Sequence, residues 1–195
     1  MILLLAVVAG LIAGLARAAY HRTSLQIPDL RFWWVAVLAV TPQLLAFHLP
    51  FTRDHFPFEM IRIALVSSQL LLMIFAILNL DRPGFWILGL GLLLNLIVIG
   101  SNGGLMPISP ETIKKLAPNA PGNSWQIGER LGTTKDIVLP SEKMNLGWLS
   151  DRFLFPDWLP YHVAFSLGDI FVAIGAFWFL WSLGKPPVDI RTEGD

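Results

Sequence analysis

The chain has 195 residues, a formal net charge of zero and no cysteine; 54% of its residues are hydrophobic and 14% charged, against roughly 25% charged in an ordinary soluble domain. So little charge cannot cover a soluble surface, and with a mean hydropathy of +0.61 the composition excludes the soluble, disordered and nucleic-acid-binding classes and reads as an integral membrane protein. The missing cysteine removes disulfides, thiolate nucleophiles, iron–sulfur clusters and thiolate zinc sites together.

Five apolar stretches are predicted to span, at residues 2–19, 32–49, 61–80, 84–100 and 162–183, since a crossing helix needs about 20 residues. They must be helices, because an unpaired backbone group in lipid costs several kcal/mol, and they lack the strict alternation of barrel strands. The fold class is therefore an all-α membrane protein, one integral domain over 1–195, with a long extracytoplasmic segment at 101–161. The first span repeats Ala6, Gly10, Gly14 and Ala18 every four residues, a face that lets helix backbones approach closely, within this chain or against another subunit. The second opens with Trp33 and Trp34 and closes at Pro50; the turn Asp81-Arg82-Pro83 joins the third to the fourth.

Arg17, Arg22, Arg31, Arg82, Lys185 and Arg191 fall on one side of these spans, and only Arg53 and Arg62 lie in the short loop opposite. The positive-inside rule then puts the N-terminus outside and the C-terminus inside a bacterial cytoplasmic (plasma) membrane, with Trp33, Trp34, Trp86, Trp178 and Trp181 in the inner aromatic belt. Without a basic stretch ahead of the first span, a cleaved signal peptide is not expected.

Counting ~1.5 Å per residue, Asp169 of the fifth span, with Ser166 one turn shallower, Gln43 of the second, Ser67, Ser68 and Gln69 of the third and Asn95 of the fourth fall in one layer of the outer leaflet. Asp169, about 10 Å inside its helix end, is the one ionisable side chain deep in a span. A buried Asp must face protein or water. With no Lys or Arg at its depth it is protonated, hydrogen-bonded within the Gln/Asn/Ser layer, or reached from above by Arg62 or Arg53. The layer is either an interhelical clasp or a site for a proton, cation or polar ligand.

After the fourth span, Ser101-Asn102-Gly103-Gly104-Leu105-Met106-Pro107 reads as a tight turn, or as an anion-binding nest of backbone amides. Ser109 caps a short helix with Pro110 at its first position, running to about Leu116. Residues 118–122 end it, and the stretch to Lys143 is polar and expected to be irregular. From Leu146 to Tyr161, Trp148, Leu149, Phe153, Leu154, Phe155, Trp158 and Tyr161 alternate with Asp151, Arg152 and Asp157, a composition suited to the headgroup level or to a partner. His48, His55 and His162 share that side, but their spacing matches no strong ligand pattern. No cofactor or metal is expected, and no catalytic motif is present.

Asn102-Gly103-Gly104-Leu105-Met106-Pro107-Ile108-Ser109 and Ser166-Leu167-Gly168-Asp169, continuing to Gly175, resemble the signatures of an uncharacterised bacterial membrane family, domain of unknown function 5317. The resemblance spans nearly the whole chain and implies the same architecture, but no activity. It singles out Asn102, Gly103, Gly104, Met106, Pro107, Ser166, Gly168 and Asp169, and it suggests that the Asn-Gly-Gly amides cap the polar cluster. The leading expectation is a non-enzymatic structural, accessory or assembly subunit, with the lipid bilayer and other membrane subunits or self-association as partners and no nucleic acid. The alternative is a small transporter, or a ligand- or proton-binding protein, built around Asp169. A lipid-handling enzyme ranks last, for want of a nucleophile–base pair.

Overall fold

The computed structural model describes residues 2–185 apart from 27, 50, 52–54, 122–123, 157 and 160–161 and the side chain of residue 48. Arg53, Asp157, Tyr161, Arg191 and the His48 side chain, all used above, lie outside that part. The chain is mostly helical. Runs rich in Leu, Ile and Ala and free of Pro build α1 (Ile2–Tyr20) and α3 (Phe58–Leu78). These two are long and apolar enough to cross a membrane; the other apolar helices are shorter.

One of the shorter helices is α2 (Trp33–Gln43), which contains Pro42 and loosens into a π-helical turn over Leu44–His48. Pro42 removes the hydrogen bond its own amide would have made to the turn before it, and in the π-helical turn that follows the Leu49 amide reaches back to the Leu44 carbonyl at 3.1 Å. The next, α4 (Phe85–Ser101), follows a turn at Gly84, whose positive φ of 82° suits glycine. The last, α6 (Leu167–Ser182), begins later than the 162–183 stretch predicts. Ser166 and Asp169 form a reciprocal capping box that fixes the helix start there, and Ala164–Phe165 ahead of it is a strand.

Helix α6 packs between α1 and α4, while α3 packs on α2 and α4. The small-residue face of α1 is filled from within the chain: a Cβ on Gly14 would stand 2.6 Å from the Leu180 carbonyl oxygen, and one on Gly10 3.0 Å from the Leu180 Cβ. Ala18 is buried and Ala6 half-buried on the same face. Between α4 and α6 the approach is closer still, at two reciprocal glycine pairs. A Cβ on Gly91 would meet the Gly168 oxygen at 2.5 Å, and one on Gly175 would meet the Gly84 oxygen at 2.6 Å.

The segment from 102 to 166 folds over one end of this bundle. It holds β1 (Met106–Ile108), α5 (Pro110–Leu116), β2 (Asp136–Val138), β3 (Phe153–Leu154) and β4 (Ala164–Phe165). β1 pairs with β2 in parallel, Met106 opposite Asp136, and β3 pairs with β4 antiparallel. The stretch expected to be irregular thus contains a strand, because Ile137 and Val138 are β-branched and bury against β1. Ser109 caps α5 as its sequence implies, accepting from the Thr112 amide at 3.1 Å. Leu105, Met106, Ile137 and Leu149 of the segment join Ile61, Leu65, Val98 and Ile99 of α3 and α4 in one buried cluster, which seats the segment on the helix ends.

At the opposite end, Trp33, Trp34 and Trp86 are exposed. Trp86 meets Trp178 edge-to-face at 6.3 Å between ring centroids, and Arg17 lies over the Trp181 ring. The buried Asn79 holds the 28–32 loop there, accepting from the Arg31 amide at 2.8 Å and donating to the Arg31 and Phe75 carbonyls at 3.0 and 2.9 Å.

Candidate functional site under the long segment

The turn after α4 places the first components. Gly103 and Gly104 have φ of 76° and 89°, open to glycine. The Asn102 side chain donates to the Val98 and Asn145 carbonyls, both at 2.8 Å, and accepts from the Asn145 amide at 3.0 Å. The amides of Asn102 and Gly104 both go to the Ile99 carbonyl. They therefore finish the helix end and do not cap the polar cluster, contrary to the expectation. The motif acts one step further along: the Met106 amide donates to the Lys135 carbonyl at 3.1 Å, and the Asp151 amide donates to the Pro107 carbonyl at 3.2 Å.

Lys135 and Asp151 are thereby carried over the start of α6. Asp169 sits in the first turn of that helix and not 10 Å inside it, since the helix begins at Leu167. Its Oδ1 accepts from Asn95 Nδ2 at 2.8 Å, and its Oδ2 accepts from the Ser166 amide at 3.2 Å. Ser166 Oγ donates to Asn95 Oδ1 at 2.8 Å and accepts from the Asp169 amide at 3.0 Å. The cation for Asp169 is Lys135, whose Nζ lies 3.5 Å from Asp169 Oδ2 and 3.0 Å from Asp151 Oδ2. Arg62 does not reach down: it pairs with Glu59 at 3.1 Å and covers the Phe58 ring.

A third carboxyl, Asp136, lies beside Asp151, so three carboxyl groups share one ammonium. Burial pushes the Asp151 carboxyl well above the usual aspartate range and the Asp136 carboxyl above it too, with Lys135 opposing both shifts. Burial also works against the charge on Lys135, but Asp151, Asp169 and Asp136 outweigh it and hold its pKa above the ordinary lysine value. Asp151 is 1% exposed; its Oδ2 is taken by Lys135, while its Oδ1, and Oδ1 of the buried Asp136, have no hydrogen-bond partner. A cavity of about 260 Å³ opens beside these groups, lined also by Leu131, Val163, Phe165 and the first residue of α1, Ile2.

The expected single polar layer is therefore two clusters. Asn95, Ser166 and Asp169 form one; Gln43 and Ser68 form the other, joined at 2.7 Å between α2 and α3. Ser67 turns back to the Ala64 carbonyl of its own helix, and Gln69 is buried with Oε1 unpartnered. Of the two histidines whose side chains are described on that side, His55 meets the Phe51 carbonyl and His162 lines the cavity. No three acidic, histidine or cysteine side chains among the described residues are arranged to hold a metal ion.

Sequence reasoning misses Lys135, Asp136 and Asp151. One signal was present: Asp136-Ile137-Val138-Leu139 is a short β-branched run after the Gly132-Thr133-Thr134 turn, which reads as a strand able to carry Lys135 to a fixed place.

Among known proteins, an uncharacterized protein of Thermotoga maritima is 28% identical over 142 residues, covering 70% of this chain and 72% of that one. No solved structure matches. The model of a family of unknown function, DUF5317, matches residues 28–181, a range that includes both motifs and every charged residue of the site. The chain belongs to the DUF5317 family.

Proposed function

We propose that the chain is a small, non-enzymatic polytopic membrane protein whose long segment closes over its helix ends around a ligand-binding site at Asp136, Asp151, Asp169 and Lys135. The observation that carries this reading is the imbalance of the site: three carboxyl groups face one ammonium beside a cavity, and acceptors on two of them are unfilled. A purely structural clasp fills its polar groups, because each buried, unpaired one costs about 1–3 kcal/mol. A screen of small cations and neutral polar compounds by thermal unfolding tests it. A ligand that stabilises the wild type and not Asp151→Asn supports the reading; a wild type that nothing stabilises refutes it.

Five spans are part of this proposal. The apolar helices of 17 and 16 residues, α4 and α6, extend about 25 Å and complete a crossing of the ~30 Å hydrocarbon core with their flanking residues. The outward faces of α1 and α2 support it, with Ile12 62% and Val37 57% exposed and suited to lipid. The N-terminus is then outside, the C-terminus inside and the long segment outside a bacterial plasma membrane. Because the chain has no cysteine, single cysteines report this directly. In intact cells a membrane-impermeant maleimide labels Ser141→Cys and spares Lys185→Cys; the reverse pattern inverts the topology.

The accessory-subunit reading keeps one observation, the exposed Trp148 and Trp158 of the long segment. Its other support weakens, since the small-residue face of α1 is already covered by α6. Gentle extraction that recovers other membrane subunits in fixed ratio would favour it.

A further inference from the structure

The chemistry of the cavity narrows what can fill it. Its charged wall leaves two acceptors unfilled: Oδ1 of Asp136 and Oδ1 of Asp151 have no hydrogen-bond partner, while Lys135 is divided between Asp151 Oδ2 and Asp169, and His162 also lines the cavity. Asp136 and Asp151 are each more than nine-tenths buried, and both line the cavity. An occupant that donates hydrogen bonds fills these acceptors, and positive charge favours it, because acceptors in a low-dielectric site draw a cationic donor more strongly than a neutral one.

A bare metal ion fits poorly, since no three carboxylate or histidine side chains among the described residues converge on one point. An ammonium group is less demanding. It brings its own N–H donors, and each can find a different oxygen. Leu131, Val163 and Phe165 line the same cavity and give it an apolar part that suits hydrocarbon. The volume, about 260 Å³, exceeds the ~150 Å³ of a cavity known to admit benzene.

We infer that this cavity binds a small organic ammonium ion, its N–H groups on the free carboxyl oxygens of Asp136 and Asp151 and its hydrocarbon part against Val163 and Phe165. The inference rests on the ligand-site reading proposed above and names its substrate class. Both halves of the ligand are needed. Charge without a hydrocarbon part leaves the apolar wall unused, and a hydrocarbon part without charge leaves the acceptors unfilled.

The test uses the full chain in nanodiscs and isothermal titration with n-butylamine, methylamine, n-butanol and calcium chloride. The wild type is expected to bind n-butylamine saturably, methylamine more weakly, and n-butanol and calcium not at all. Asp151→Asn should weaken n-butylamine about tenfold, the loss expected for one hydrogen bond to a charged group. Val163→Trp, which narrows the apolar wall without touching a charge, should weaken n-butylamine and leave methylamine unchanged; it keeps the inference testable if the Asp variant does not fold. Equal binding of n-butylamine by wild type and Asp151→Asn overturns the inference. Asp151-dependent binding of calcium or n-butanol in place of the amine overturns the ammonium assignment and leaves the ligand site standing. Silence from all four probes removes both.

Discussion

Asn79 and Lys135 each fasten a connecting segment to one end of the helical bundle, and they do it with opposite chemistry. Asn79 is neutral, fully buried and saturated: its oxygen and its amide nitrogen both have partners, on Arg31 and Phe75. Lys135 is charged and outnumbered, facing Asp151 and Asp169 directly with Asp136 behind. A saturated junction has nothing left to offer a ligand, and its energy does not depend on protonation. An unsaturated one holds its segment less economically and keeps acceptors available. The difference separates a part that only ties the fold from a part with chemistry left over.

Removing the central residue of each junction makes the comparison quantitative. Lys135→Met leaves buried carboxyls without their cation and should lower stability by about 3–5 kcal/mol near neutral pH, measured by thermal or denaturant unfolding in a fixed bilayer mimic. Acidification should restore part of that loss, since protonation neutralises the carboxyls. Asn79→Ala should cost less, about 1–3 kcal/mol, from the unpaired Arg31 amide and carbonyl, and its loss should be the same at acidic and neutral pH. An Asn79→Ala loss that varies with pH as the Lys135→Met loss does would erase the distinction between the two ends.

The pH response of the unmodified protein is the next effect in size. Asp136 and Asp151 have folded pKa values above the ordinary aspartate value of 3.8, so the folded state holds protons that the unfolded chain releases. The stability they contribute is present below that value and is lost as pH rises through the raised folded values. The raised Lys135 pKa works in the same direction only above the ordinary lysine value of 10.5. Hydrogen exchange should therefore show amides of 105–108 and 135–138 exchanging more readily, after correction for intrinsic rates, as pH rises from about 4 toward neutrality, while the Arg31 amide stays constant. The smallest change should come from Asp136→Asn. It removes one carboxyl from the excess and should raise stability by about 1 kcal/mol at neutral pH, a gain that disappears in acid. A loss at neutral pH instead would show that Asp136 is needed where it stands.

The sequence carries the helices well because each rests on local information. Leu- and Ala-rich runs, the Ser109–Pro110 start of α5 and the glycine turn at 103–104 all lie where the residues imply. The start of α6 was five residues off, because apolar character continues back to His162 while the Ser166–Asp169 capping box, a polar device, sets the boundary. The site itself was half legible. Asp169, Ser166 and Asn95 announce themselves as polar groups within apolar helices. Lys135, Asp136 and Asp151 are ordinary charged residues in a polar stretch, and only the pairing of β1 with β2 and the Pro107–Asp151 hydrogen bond bring them to Asp169. Long-range pairing of that kind leaves little trace in any one window of sequence.

The two glycine pairs between α4 and α6 have a mechanical consequence. Gly84 faces Gly175 and Gly91 faces Gly168, so the contacts recur after the same interval along both antiparallel helices. Sliding one helix past the other by a turn would drive side-chain-bearing residues into the facing backbone at both places at once. The register is locked, and Asn95 and Asp169 stay at a fixed separation on a stiff two-helix frame. Asp169, which lines the cavity, therefore keeps a position set by the register of the two helices.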